Sequence, residues 1–83
     1  MDYLIEPCAS SKAYEIKFSG KLDLEKISSK MKENDVFSST PVALLVKINA
    51  KPVSIYASGR AMIKDVSKKE AEEIAKKLFS LME

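Results

Sequence analysis

The most constraining stretch of this chain is K-P-V-S-I-Y-A-S-G-R-A-M-I-K, Lys51 to Lys64. Val53 and Ile55 alternate with Ser54 and Tyr56, and after a turn on Ser58 and Gly59, Ala61 and Ile63 alternate with Met62 and Lys64. A period of two with an apolar and a polar set predicts a hairpin with one buried and one open face. Gly59 supplies the positive φ that a tight reversal between right-twisted strands requires. The chain must therefore contain antiparallel sheet, and its function turns on what meets the face carrying Ser54, Tyr56, Arg60, Met62 and Lys64.

With 83 residues, 46% of them hydrophobic, there is material for one core and no need of a metal or a staple. The single cysteine, Cys8, excludes a disulfide within the chain, and the lack of histidine removes most zinc sites and His-based catalysis. No nucleophile and base can be paired, so neither an enzyme nor a cofactor is expected. One cysteine fits a reducing compartment, and no apolar run approaches the ~18 residues of a membrane span, which together predict a cytoplasmic protein. Fourteen basic against twelve acidic residues give a net charge of only +2, so placement of charge matters more than its sum.

Residues 1–10 read as an arm in which Tyr3, Leu4 and Ile5 form a short strand at most, ended by Pro7. Residues 11–83 read as one domain. Ser11 to Phe18 is a strand with Tyr14, Ile16 and Phe18 on one face and Ala13, Glu15 and Lys17 on the other, followed by a turn at Ser19 and Gly20. Asp23 caps a helix whose apolar stripe is Leu24, Ile27 and Met31, with Lys26, Lys30 and Lys32 solvated and the helix fading near Asn34. Val42 to Ile48 is a strand, with Pro41 at its start, and Asn49 to Pro52 is a loop. Ser67 and Glu70 form an S-x-x-E capping box for a second helix buried along Ala71, Ile74, Ala75, Leu78 and Met82. Glu72 with Lys76, and Glu73 with Lys77, stand at ion-pair spacing on it. The expected order is β-α-β-β-β-α, an α+β fold with both helices on one sheet face and the other face open.

This order, the K-L-D-L-E-K-I segment at Lys21 to Ile27, the S-I-Y-A-S-G-R segment at Ser54 to Arg60 and the helix after Ser67 resemble one repeat, or half, of the TATA-binding protein family. The resemblance implies a curved antiparallel sheet whose concave face lies in the DNA minor groove and inserts paired phenylalanines. Carried over by position, Tyr56 matches one phenylalanine, while Pro41 stands where the other is expected. Arg60 matches a basic residue, Met62 an apolar contact, and Lys47 an arginine that touches the backbone. Lys64 replaces a threonine, Ser54 a leucine, and Ser11 an asparagine that reads the groove. Val36, Phe37 and Ser38 take the place of a Tyr-Asn-Pro motif. Half the wedge is thus missing and the other half carries a hydroxyl, which removes the basis for a sharp kink and for TATA reading.

Alternation places Lys17, Lys47, Arg60 and Lys64 on the open face against Glu15, four cations to one anion, or +3. The expected site is therefore Lys17, Lys47, Tyr56, Arg60, Met62 and Lys64, facing double-stranded DNA through counterion release. The alternative is a protein-interaction or regulatory module that keeps the fold without binding DNA, in which the lysines solubilise the face. A single repeat also leaves Ser11 to Phe18 as an uncovered edge. Two chains joined isologously there would rebuild a twofold saddle, unless Tyr3 to Ile5 folds back over that edge.

Overall fold

The computed structural model describes residues 3–7 and 13–82, so Cys8 and Ser11 lie outside the described residues. The elements in order are β1 (Tyr3–Pro7), β2 (Ala13–Phe18), α1 (Leu24–Ser29), a 3₁₀ turn (Glu33–Asp35), β3 (Val36–Ser39), β4 (Ala43–Ile48), β5 (Lys51–Tyr56), β6 (Arg60–Lys64) and α2 (Lys68–Leu81). The strands form one six-stranded antiparallel sheet in the order β1-β2-β6-β5-β4-β3. The fold is α+β, with both helices packed against the sheet's apolar face.

The hairpin forms as its alternation predicts: Val53 stands opposite Ile63, Ile55 opposite Ala61, and Tyr56 opposite Arg60. The three-residue loop closes with Gly59 N–H donating to the Tyr56 carbonyl at 3.0 Å, and Gly59 sits at φ +107°. Inward residues of the four central strands, Ile16, Val46, Ile55 and Ile63 among them, are almost wholly shielded from water. Removing side chains of this size from water stabilises the fold by about 1.5–3 kcal/mol each. They meet Leu24 and Ile27 of α1 and Ala71, Ile74, Ala75 and Leu78 of α2.

Both caps are made. Asp23 accepts from Lys26 N–H at 3.1 Å, and Ser67 and Glu70 exchange side-chain to backbone bonds at 3.0 and 3.2 Å. The backbone N–H of Ser67 holds the Glu70 carboxyl below its ordinary value, with Lys51 assisting. The first helix is shorter than expected, because the Ser28 and Ser29 hydroxyls turn back onto the Glu25 and Lys26 carbonyls at 3.0 and 2.8 Å. Such back-bonding weakens a helix at its end.

Two strands beyond the expected four are present. Residues 36–39 pair with β4 through a register shift, and the Thr40 side chain and backbone close the turn onto Ala43 at 2.9–3.0 Å. Tyr3–Pro7 pairs with β2 along its whole length, Tyr3 opposite Phe18 and Pro7 opposite Tyr14. Tyr3 packs its ring against Phe18 and Phe79 at centroid distances of 5.8 and 5.5 Å, which ties the arm to α2. The strand expected to offer a free edge to a second chain is consequently interior, held between β1 and β6. The arm folds back instead, since Tyr3 and Ile5 bury apolar surface that a free arm would leave in water.

The expected loop at Asn49 to Pro52 is a two-residue reversal, with strand pairing resuming at Ile48 opposite Lys51. Asn49 and Ala50 both have positive φ, +53° and +64°, the pattern of a type I′ turn. Alanine is strained there by about 1–2 kcal/mol. Ala50→Gly should therefore raise stability by about 0.5–1 kcal/mol after the added freedom of the unfolded chain is subtracted. A thermal melt followed by circular dichroism checks this; an unchanged or lower midpoint would show that the turn is not strained.

Candidate nucleic-acid interface

On the face away from the helices, the strand registers arrange side chains in three rows. The first runs Leu4, Lys17, Arg60, Tyr56, Ala43, and the second Glu6, Glu15, Met62, Ser54, Leu45, Ser38. Ala13 with Lys64, and Pro52 with Lys47, lie in the third. All six residues expected at the site thus share this face, because each alternates with a buried neighbour: Ile16 and Phe18 flank Lys17, Val46 and Ile48 flank Lys47, and Ala61 and Ile63 flank Met62.

Tyr56 and Met62 form the centre. Both line a groove of about 560 Å³ that continues to Val42 and Ala43, and both line a second groove of about 320 Å³ that reaches Pro52 and Lys64. Tyr56 is 38% exposed and Leu45 42%, so an apolar ridge stands open in the middle of the face. Val42, exposed beside the larger groove, is the apolar residue at that end. Pro41, where the family resemblance expects the second phenylalanine, lies instead in the turn facing the start of α1.

The charges are less one-sided than alternation predicts. Lys17 Nζ lies 3.1 Å from Glu6 Oε1 and 3.7 Å from Glu15 Oε1, and Arg60 Nη2 lies 3.1 Å from Glu15 Oε2. Arg60 also donates to Glu15 Oε1 at 3.3 Å. Glu6 belongs to this face because β1 joins the sheet, so the balance is four cations against two carboxylates, +2 and not +3. The alternation of Leu4 and Glu6 with Tyr3 and Ile5 was the sequence signal for it. Among the described residues, Lys47 and Lys64 take no part in these ion pairs. The face therefore has a neutralised end at Glu6, Lys17, Glu15 and Arg60, an apolar middle, and a cationic end at Lys47 and Lys64.

No helix among the described residues is long and apolar enough to cross a membrane. No protein-family model, no curated protein and no solved structure matches the chain.

Proposed function

We propose that the open sheet face is a binding surface for double-stranded DNA, contacting backbone phosphates with Lys47 and Lys64 while Tyr56 and Met62 rest against the groove. The observation that carries this reading is the pairing of two lysines, outside any ion pair among the described residues, with an exposed apolar ridge on one face. Lysines held by no carboxylate are the ones that release counterions when a phosphate replaces the ion atmosphere. Two such contacts give a log–log salt slope of about −1.8, so a fourfold rise in salt weakens binding about tenfold. Binding of that kind is weak and indifferent to sequence, in keeping with a transcription or chromatin accessory factor.

Fluorescence anisotropy with a labelled duplex at 50–200 mM salt tests it. Lys64→Glu should weaken binding about tenfold and make the slope shallower by about one. A second reading is favoured by the Glu6–Lys17–Glu15–Arg60 network: self-compensated charge around exposed Leu45, Val42 and Tyr56 also suits a protein partner. That reading is preferred if no duplex binds at 20 mM salt.

A further inference from the structure

The twofold pairing that β2, being interior, cannot make is open at the far side of the sheet. β3 is the last strand there, and among the described residues no strand pairs with its outer edge. It opens the longest uncharged run of the chain, Val36 to Val46, eleven residues in a sequence of which 31% are charged. Leu44 and Val46 are apolar because the core requires it, but Phe37, Ser38, Ser39, Thr40, Val42 and Leu45 are all exposed. Solubility does not explain six exposed positions without one charge. Val42 and Phe37, 69% and 60% exposed, are the two most open large apolar side chains among the described residues.

An edge strand presents unpaired N–H and C=O groups, and proteins guard such edges with charge, proline, bulges or short length. β1, the opposite edge, carries Glu6 and ends at Pro7. β3 has no charge and no proline. Its V-F-S-S is guarded only by its four-residue length and by the register shift between Val36 and Ser38.

We infer that the outer edge of β3 pairs with the same strand of a second copy of this chain, antiparallel and about a twofold axis normal to the sheet. Charge complementarity points to a copy. A chain of net +2 repels itself on most approaches, but here uncharged Val36–Ser39 meets uncharged Val36–Ser39. Full-length antiparallel pairing sets Val36 opposite the partner's Ser39. The nearest charged residue, Asp35, then stands opposite the partner's Thr40 and not opposite another carboxylate. The axis also preserves the faces, so both helix layers lie on one side and the two open faces join on the other. Four residues a side fall short of the ~1,200 Å² that lasting complexes bury, so the pairing is transient, with a Kd of about 0.1–1 mM.

Association is measured without nucleic acid, so its outcome is independent of the duplex-binding proposal. In sedimentation equilibrium the mean mass should rise from one chain toward two as the concentration goes from about 10 μM to about 1 mM. Phe37 lies beside the axis, where two copies of one charge repel. Phe37→Lys and Phe37→Glu should therefore each weaken association about tenfold or more. An equimolar mixture of the two should regain it, which a merely misfolded variant cannot do. Leu4→Lys, on β1 and on the open face, should associate like the unaltered chain. A chain that stays monomeric at the upper concentration overturns the inference, as does a mixture that fails to recover. Equal weakening by Leu4→Lys overturns it by assigning the contact to β1 or to the open face. Mass growing beyond two chains overturns it as well, because isologous pairing closes at the dimer.

Discussion

Alanine at Gly59 is expected to cost about 3 kcal/mol or more, a large share of the ~5–15 kcal/mol that a domain of this kind has in total. Two effects add. At φ +107° a side chain is strained, by about 1–3 kcal/mol. A methyl group there would also overlap the carbonyl oxygen of Gly20 and press on that of Phe18 at 3.2 Å. Neither carbonyl can yield easily. Phe18 N–H donates to the Gly59 carbonyl at 2.8 Å, and Leu22 N–H to the Ala57 carbonyl at 3.0 Å, so the two turns are laced together. Gly20 provides the control: it also has positive φ, +99°, but a methyl group on it meets nothing within 4 Å. Gly20→Ala should cost only about 1–2 kcal/mol. Urea denaturation midpoints measure both. Equal losses would show that backbone conformation, and not the close approach of the two turns, makes glycine necessary at position 59.

The hairpin itself is legible in the sequence, while the contact that fixes Gly59 against Gly20, nearly forty residues away, is not. Alternation in Val53–Ile55 and Ala61–Ile63, the Asp23 cap and the Ser67–Glu70 box are local signals, each set by residues within one or two turns of the chain. Residues 36–39 carry no such signal: Val36 is half-buried, and Phe37, Ser38 and Ser39 are exposed. They are strand because β4 offers hydrogen bonds and because Thr40 closes the turn. Tyr3–Pro7 is strand for a tertiary reason also, the packing of Tyr3 between Phe18 and Phe79. Residue types on the open face could be read from alternation within each strand. Their partners could not, because Glu6 reaches Lys17 only after the arm has folded across the edge of β2. Neither helix pair, Glu72 with Lys76 or Glu73 with Lys77, closes within 4.0 Å among the described residues, because solvated side chains at this spacing gain only a few tenths of a kcal/mol from pairing.

The second large effect is a gain. Glu6 and Glu15 hold Lys17 and Arg60 on the face proposed to meet DNA, and they place two negative charges where phosphates would lie. Replacing both with glutamine keeps shape and hydrogen-bonding capacity while raising the face from +2 to +4. Lys17 and Arg60 then become available to phosphate beside Lys47 and Lys64. Folding should change little at Glu6, whose half-exposed ion pair contributes at most about 1 kcal/mol, and more at Glu15, which is only 18% exposed, although a glutamine oxygen there can still accept from Arg60. An increase in affinity is a stricter test than a loss, because a damaged protein does not bind more tightly.

The deciding measurement is the salt dependence of duplex binding by Glu6→Gln/Glu15→Gln beside the unaltered chain. If the open face holds DNA, the double variant binds about tenfold more tightly at 50 mM salt, and its slope steepens from about −1.8 to about −3.6 as the contacts rise from two to four. Unchanged affinity and slope, with a melting midpoint like that of the unaltered chain, would contradict the account and place any nucleic-acid binding elsewhere on the molecule.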